Sequence, residues 1–420
     1  MKADPRRSYR ALVAAQFLTV LNDSAYKQIV LLWSVDRMAA AGTSRDFQAE
    51  AAFVFGLPFV LCAAFFGDLA DRWPKPRVVR RAKLLEIGVM ALAALALQQQ
   101  AFYLAWTALA LMGAQSAMLG PAKYGLVPEL VGPRELPAAN SWLQLFVVAG
   151  ILLGIGGAGF SQALPLERRW LFPAGFALLA AAGWILARGI HEVPAADPGR
   201  RLRFDPLGRL RDSWRLVRSR PGLGSAVLGH GLFWFAGALV TLAWNEIGHA
   251  FDRDGRIGLE AWTLRLAALT LSGAAGYLAS IPVARRGWEE GLVPASAALT
   301  ALLFLAAGLL PPAPDRLFLL LLAANFFAGL FVIPLKTRIQ RLPDPRDLGR
   351  TLGASQLCDW VLILGASVVK WLLTAAGAAP EDSFLLLAAV LAAAALLLRQ
   401  SLAAAPEAPS GPPPDHQPQS

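Results

Sequence analysis

Three polar side chains interrupt the first long apolar stretch of the chain. Asn22, Asp23 and Lys27 lie within VLNDSAYKQIVLLW, and the residues around them are mostly Ala, Val, Leu, Ile and Phe. An ionised side chain at the centre of a membrane costs roughly 3 kcal/mol on insertion scales. Asp23 and Lys27 are four residues apart, so on a helix they share a face and can neutralise each other. The pattern predicts either a binding site for a charged ligand or an ion pair that serves structure alone.

The composition predicts that helices crossing a membrane position these residues. Of the 420 residues, 56% are hydrophobic and 16% are charged, whereas soluble domains average about 25% charged residues. Apolar runs close to the length of about 20 residues that spans hydrocarbon recur along the whole chain. We count twelve, at approximately residues 10–35, 50–69, 78–98, 101–122, 138–163, 170–190, 222–247, 261–284, 291–311, 316–335, 351–375 and 382–400.

The distribution of positive residues predicts the orientation of these runs. If the N-terminus and the even-numbered connections lie on one side, that side carries most of the 39 Lys and Arg. Positive residues mark the cytoplasmic side of a membrane protein, so we expect both termini in the cytoplasm. The net charge of +10 is then a topology signal that needs no nucleic acid to explain it.

A long arginine-rich connection divides the chain into two halves of six runs each. We predict an N-terminal half at 1–190, a cytoplasmic basic linker at 191–221, a C-terminal half at 222–401 and a disordered tail at 402–420. Apolar residues at helical spacing in the linker predict a short amphipathic helix on the membrane surface. These residues are Leu207, Leu210, Trp214 and Val217. Two roles stay open for the linker, a connector whose charges fix topology and a dedicated lipid or regulatory site.

The two halves repeat one short element. Pro121 and Lys123 end the fourth run, and Pro334 and Lys336 end the tenth. In each half, a small residue followed by a polar one then opens the next run. Together with the six-plus-six count, this element resembles the parallel repeats of the major facilitator superfamily. The predicted fold class is an all-α membrane protein with twelve transmembrane helices in two six-helix halves, the major facilitator fold.

The connection between runs two and three adds to that resemblance. Its sequence GDLADRWPKPRVVRRAK resembles the superfamily's G-x-L-A-D-R-x-G-R-[KR] loop, with a proline where the second glycine is expected. Glycine permits close helix packing, and an acid can pair with a basic residue or a helix N-terminus of the other half. We expect a cytoplasmic gate formed by Gly67, Asp68, Asp71, Arg72 and Lys123. A basic loop that only fixes topology is the alternative.

Longer stretches of both halves resemble the bacterial lysophospholipid transporters. FLTVLNDSAYK is similar to their F-N-D-N-x-x-K motif, and GPAKYGLVPELVGPRELPAANSW is similar to their G-P-x-K-Y-x-x-x-P-x-x-x-x-x-x-E-L-x-x-x-N segment. FWFAGALV and GLFVIPLKTRIQ also resemble the corresponding stretches of that family. The chain departs from the family at Ser24, where a second Asn is usual, and at Lys336, where an uncharged polar residue is commoner.

The resemblance implies a transport function. Members of that family move lysophospholipids, chiefly lysophosphatidylethanolamine, across the bacterial inner membrane to the cytoplasmic leaflet for re-acylation. It implies alternating access without a cofactor, and a separate cytoplasmic acyltransferase as a possible partner. Because such a headgroup carries an ammonium and a phosphate, Asp23 is expected to bind the ammonium and Lys27 the phosphate. Asn22 would add a hydrogen bond.

Four further polar residues are candidates for contacts with the substrate. Asn140 and Gln144 share a face of the fifth run, and Gln356 and Asp359 lie three residues apart on the eleventh. The repeat symmetry would bring these two runs to opposite walls of a central cavity. Each side chain could equally well join two helices by a hydrogen bond.

The sequence favours transport over catalysis. It has no P-loop glycine–lysine motif and no zinc-ligand spacing, and its four histidines are scattered, so we predict neither an enzyme nor a metal site. An alternative function is a proton-coupled exporter of small amphipathic drugs or metabolites. Such an exporter needs a titratable group whose protonation follows the pH gradient.

Overall fold

The computed structural model describes residues 4–40, 47–286 and 289–403, and most of these residues are helical. The tail predicted to be disordered falls almost wholly outside these residues. Within them the chain forms thirteen α-helices and no strand. The helices are α1 (Pro5–Ala40), α2 (Gln48–Arg72), α3 (Lys75–Gln98), α4 (Phe102–Leu130), α5 (Leu136–Gly159), α6 (Leu171–Arg188), α7 (Pro206–Arg218), α8 (Leu223–Arg253), α9 (Leu259–Arg285), α10 (Glu289–Leu309), α11 (Pro314–Arg341), α12 (Leu348–Ala375) and α13 (Asp382–Ala403).

The prediction of twelve long helices is confirmed, with α7 as an additional short helix in the linker. Helical structure follows from the environment, because backbone groups in hydrocarbon must form their hydrogen bonds within the segment. Among the described residues, ten helices are long and apolar enough by composition to cross a membrane. The two other long helices are α1, which carries Asp23 and Lys27, and α3, whose first turns are basic. The chain is a multi-pass membrane protein.

Several helices extend beyond their predicted runs, as α4 does to Leu130 and α8 to Arg253, whereas the fifth run was predicted too long. The fifth run was expected to reach residue 163, but α5 ends at Gly159 and continues as a short 3-10 turn at Phe160–Ala163. Three glycines precede this point, at 156, 157 and 159. Glycine loses more backbone freedom than any other residue on entering a helix, which weakens the last turn.

The two halves pack in a reciprocal way. Between them, α2 packs along α12 and α5 packs along α9. The second helix of each half thus contacts the fifth helix of the other, as a two-fold axis along the membrane normal requires. Two buried apolar clusters lie within the first half, and a third fills the second half and extends to Val148 of α5.

The linker helix predicted from apolar spacing is present as α7. Asp205 caps its N-terminus, because the carboxylate oxygen Oδ1 accepts a hydrogen bond of 2.9 Å from the backbone N–H of Gly208. Val217 is buried against the second half, whereas Trp214 is about half exposed. The side chains of Leu207 and Leu210 lie outside the described residues.

The chain alternates direction from helix to helix, which defines two ends of the bundle. We call the end at which α1 begins and α13 ends the proximal end, and the opposite end the distal end. The turns between α2 and α3 and between α11 and α12, together with α7, lie at the proximal end. The sequence predicts that this end faces the cytoplasm.

Cysteine labelling tests this orientation. In a chain whose two native cysteines are replaced by alanine, an impermeant maleimide should label Asp254→Cys in intact cells. It should label Ser219→Cys only after the cells are permeabilised. Both positions are exposed, Asp254 at the distal end after α8 and Ser219 at the proximal end after α7. The reverse labelling pattern would overturn the predicted orientation.

Candidate functional site

A polar contact at the proximal end joins the two halves. Asp71, at the end of α2, accepts hydrogen bonds from the backbone N–H groups of Gly349 at 2.6 Å and Arg350 at 2.9 Å. These amides begin α12, so the carboxylate lies at a helix N-terminus, where negative charge is stabilised. Gly67 makes the approach possible, because a Cβ there would come within 2.7 Å of the carbonyl oxygen of Gly349.

An arginine of the linker completes this contact. The guanidinium of Arg200 lies 3.4 Å from Asp68, 3.7 Å from Asp71 and 2.7 Å from Asp347. Burial alone would lower the pKa of Arg200, but the hydrogen bond that it donates to Asp347 and the charge of Asp71 raise this pKa above its ordinary value. The guanidinium therefore stays charged and ties α2 to the turn before α12. We call the group of Asp68, Asp71, Arg200, Asp347 and the first turn of α12 the proximal latch.

The predicted gate residues divide into two groups. Gly67, Asp68 and Asp71 lie together at the proximal latch. Among the described residues, Arg72 has no hydrogen bond or ion pair to another side chain. Lys123 lies deeper, seven residues before the end of α4, or roughly 10 Å at the helical rise of 1.5 Å per residue. Sequence reasoning missed Arg200, which is one of several linker arginines without a distinguishing pattern.

Replacing Asp71 with asparagine should open the proximal end more often. The substitution keeps the size of the side chain but removes the charge that α12 and Arg200 bind. Capping contacts are worth about 0.5–2 kcal/mol, so the open population should rise by roughly three- to thirtyfold. A cysteine at Leu352, which is buried beside Gly125 of the other half, should then react faster with maleimide. Turnover should slow while substrate binding is retained.

A matched control shows whether opening depends on the latch or on any charge at the proximal surface. Arg220 forms an exposed ion pair with Asp344 at the same end. Arg220→Gln should leave the reaction rate of the cysteine at position 352 unchanged. Lost substrate binding with an unchanged cysteine reaction rate in Asp71→Asn would contradict the latch.

Further from the proximal end than the latch, a narrow cavity lies between the two halves, with about 300 Å³ of empty space including its open side. Tyr124 and Gln144 line it from the first half, and His230, Tyr277 and Lys336 line it from the second. Aromatic rings form much of the wall, including Phe233 and Trp234 of α8. A pocket of mostly apolar surface with a few convergent polar groups is typical of a small-molecule site.

The repeated P-x-K element places one lysine from each half beside the same ring. The Nζ atom of Lys123 lies 4.9 Å from the ring centroid of Tyr124, and that of Lys336 lies 4.0 Å from it. In the described part of the chain, neither lysine forms an ion pair with an acid. Cation–π contacts partly offset the two charges, but the pair remains suited to an anion that would lie between them.

Asp23 supplies a negative charge to the same region. Ser116 of α4 donates a hydrogen bond to the Oδ2 atom of Asp23. The other carboxylate oxygen, Oδ1, is buried and has no hydrogen-bond partner among the described residues. Asp23 also lies within electrostatic range of Lys123. A buried acceptor without a partner is costly to leave unpaired, so it points to a donor from outside the chain.

The ion pair that the sequence allowed between Asp23 and Lys27 is not formed. The described residues contain no such pair within 4.0 Å, and Lys27 instead lies 5.9 Å from the ring centroid of Phe55 on α2. Although the two residues share a side of α1, Asp23 bonds to α4 and Lys27 faces α2. Lys27 is therefore separate from the lysine pair around Tyr124.

Asn22 lies in a different polar group, the buried cluster of Thr19, Asn22, Lys83, Glu86 and Gln115. Its Nδ2 atom donates to the Oε1 atom of Glu86 at 2.8 Å. Lys83 donates to the Oε2 atom of Glu86 at 2.7 Å, and Thr19 donates to the same oxygen at 2.9 Å. The side chains of Lys83 and Glu86 are 0% exposed. This cluster joins α1, α3 and α4 within the first half, and sequence reasoning did not assign Asn22 to it.

Of the four other candidates, two join the halves. Asn140 donates to Gln340 at 2.6 Å and to Thr337 at 3.2 Å, both on α11. Gln356 donates to the backbone carbonyl of Ala117 on α4 at 3.1 Å. These hydrogen bonds hold the two halves together, and Asn140 also lines the cavity.

The remaining two candidates lie beside the cavity. The Oε1 atom of Gln144 accepts a hydrogen bond of 3.4 Å from the hydroxyl of Tyr124. Asp359 is hydrogen-bonded to the Nδ1 atom of His230 at 2.8 Å, and it lies within electrostatic range of Lys336. Each lysine of the pair therefore has an acid of its own half within electrostatic range. Such an arrangement fits a ligand that carries both signs of charge.

A family model for the Major Facilitator Superfamily matches residues 12–366. The chain belongs to this superfamily. The match covers most of the chain, from α1 into α12, and the reciprocal packing of α2 with α12 and of α5 with α9 agrees with it. The described helices thus form a superfamily transporter fold.

Curated relatives within the superfamily carry a more specific name. The lysophospholipid transporter LplT of Salmonella paratyphi B is 27% identical over 338 residues, which is 79% of this chain and 78% of that protein. The lysophospholipid transporter LplT of an Enterobacter species is 27% identical over 340 residues, 79% of each chain.

Solved structures of other superfamily members share the fold. The human organic anion transporter MFSD10 superposes with a TM-score of 0.74 at 20% identity, covering 94% of this chain and 99% of that one. The Escherichia coli fucose:proton symporter FucP superposes with a TM-score of 0.71 at 16% identity, covering 94% and 98%. At these identities the likeness concerns the fold alone.

Proposed function

We propose that this superfamily transporter carries lysophospholipid across the bacterial inner membrane to the cytoplasmic leaflet. The observation that carries the proposal is the pair Lys123 and Lys336, which approach one ring from opposite halves without an acidic partner among the described residues. A phosphate between them would form charge-assisted hydrogen bonds with both halves at once. The names of the curated relatives support the same class of substrate.

Charged groups near the cavity suit the rest of the headgroup. The free Oδ1 atom of Asp23 is an acceptor for the ammonium of an ethanolamine headgroup. Lys27 lies one turn further toward the distal end, where we propose that it meets the phosphate as the headgroup enters. The single acyl chain would lie against the apolar wall formed by Phe233 and Trp234.

The closed proximal end supports a cycle of alternating access. The proximal latch and the hydrogen bonds of Asn140 and Gln356 hold the halves together there. If the proximal end faces the cytoplasm, the substrate enters from the outer leaflet while the latch is closed. A bound headgroup then favours a state in which the latch opens, because it bridges the two halves. Release to the cytoplasmic leaflet would supply lysophospholipid to a separate acyltransferase.

One observation favours a second candidate function. His230 and Asp359 form a buried hydrogen-bonded pair at the cavity, and such a pair can take up or release a proton as its access to water changes. Proton-coupled export of small amphipathic drugs or metabolites would use such a group. Coupling to a pH gradient distinguishes this function from lysophospholipid uptake.

Uptake by spheroplasts separates the two functions. Spheroplasts that express the chain should convert added radiolabelled lysophosphatidylethanolamine to diacyl lipid faster than spheroplasts that lack it. An uncoupler should have little effect on this rate. Unchanged conversion, together with uncoupler-sensitive efflux of an amphipathic dye, would favour the exporter instead.

A further inference from the structure

A second cavity lies at the proximal end of the C-terminal half, away from the central site. It is bounded by α7, α8 and α13 and has about 1,010 Å³ of empty space, including its open side. Neither Lys123 nor any other residue of the central site lines it. We call it the linker groove.

The polarity of the linker groove changes along its length. At its proximal end lie Ser225 of α8 and Ser401 of α13, whose hydroxyl groups are hydrogen-bonded at 2.7 Å. Further along the same two helices the wall is apolar, with Leu228, Leu232 and Leu397. From Ser225 to Leu232 the helix rises roughly 10 Å. The groove thus has a polar end at the membrane surface and an apolar part that extends into the hydrocarbon.

The polar end also carries a positive charge. Arg218 of α7 lines the groove there, and its guanidinium lies 5.0 Å from the ring centroid of Trp214. Arg218 is exposed and forms no ion pair with any described residue. Trp214 is 53% exposed, as is typical of a tryptophan at the boundary between lipid and water. The guanidinium of Arg218, the ring of Trp214 and the apolar wall follow one another along the groove. A lipid presents its phosphate, its glycerol region and its acyl chain in the same order.

From this order we propose that the linker groove binds one diacyl phospholipid with an anionic headgroup, from the leaflet at the proximal end. Its phosphate lies at Arg218, and one acyl chain lies between α8 and α13. Charge complementarity selects the anionic headgroup, because α7 carries further exposed arginines at 211 and 215. The bound lipid fills the space between the linker and the C-terminal half. The site is separate from the transport site and does not depend on the transported substrate.

Native mass spectrometry of the full-length protein in detergent tests the proposal. With phosphatidylglycerol or phosphatidylcholine of identical acyl chains as probes, the wild type should retain phosphatidylglycerol about fivefold more, since each arginine near an anionic lipid contributes measurably to affinity. Arg218→Ala should remove most of this preference, because Arg211 and Arg215 do not line the groove. Leu228→Trp should fill the groove and reduce retention of both lipids.

Two controls keep the test specific. Arg188, on α6 at the same end, is also exposed and lies 5.1 Å from the ring centroid of Trp184, but it does not line the linker groove. Arg188→Ala should keep the preference for phosphatidylglycerol, and so should Lys336→Ala at the central site. The Lys336 variant thereby separates this proposal from the transport function.

Three results would overturn the proposal. The first is equal retention by Arg218→Ala and Arg188→Ala, which would show that Arg218 has no special role. The second is unchanged retention in Leu228→Trp, which would place the lipid outside the groove. The third is loss of retained phosphatidylglycerol when glycerophosphoglycerol or inorganic phosphate is added, which would indicate a site for a free anion.

Discussion

Replacing Glu86 with glutamine should destabilise the protein by about 3–5 kcal/mol, because it leaves a buried charge without its partner. Lys83 is 0% exposed and donates to Glu86 at 2.7 Å. Thr19 and Asn22 also donate to this carboxylate, so the substitution weakens a whole set of charge-assisted hydrogen bonds. The melting temperature in detergent should fall clearly, and expression should fall with it.

Replacing both Lys83 and Glu86 tests whether the two residues stabilise the protein as an ion pair or each on its own. Lys83→Met combined with Glu86→Gln removes both charges, so it should recover much of the lost stability. Arg265→Gln is a control, because it breaks an ion pair of 2.6 Å with Asp315, which is 86% exposed. That control should cost less than about 1 kcal/mol. A double variant as unstable as the sum of the two single variants would contradict this account.

Replacing Lys336 or Lys123 with alanine should have the largest effect on transport. Each lysine is proposed to donate a charge-assisted hydrogen bond to the phosphate, which is worth about 1.5–3 kcal/mol. Transport of lysophosphatidylethanolamine should therefore fall roughly ten- to hundredfold in each variant. The melting temperature should hold or rise, because neither lysine forms an ion pair with an acid in the described part of the chain.

Lys370 provides the matched control for this prediction. It is also a largely buried lysine of the C-terminal half, but its Nζ atom lies 2.5 Å from Glu246 near the distal end. Lys370→Ala should lower stability while the transport rate per folded molecule is retained. If Lys336→Ala lost stability and kept its transport rate, Lys336 would be a structural residue and the phosphate site would be wrong.

The sequence predicted those features that depend on local pattern. The twelve helices follow from the length of apolar runs. The repeated P-x-K element predicted that the two halves are related, and the structure places its two lysines, Lys123 and Lys336, beside Tyr124. Asp71 was recognised because the spacing of its loop resembles that of a known family.

Features that depend on packing between distant segments could not be predicted in the same way. Asn22 and Asp23 are neighbours in sequence, but a helix turns about 100° per residue, so their side chains face different helices. Asn22 reaches Glu86, whereas Asp23 bonds to Ser116. Arg200 meets Asp347 across 147 residues, and no local pattern marks either residue. Sequence spacing indicated which residues share a helix face, but not which helix that face contacts.

Purified protein in liposomes offers the most direct test of the central claim that this chain moves lysophospholipid. Lysophosphatidylethanolamine with a radiolabelled headgroup is added to the outer leaflet, and albumin then extracts whatever remains there. We expect a growing fraction to resist extraction in liposomes that contain the wild type, and almost none in liposomes that contain Lys336→Ala. If the wild type, the variant and protein-free liposomes all release the lipid equally, the chain does not transport lysophospholipid.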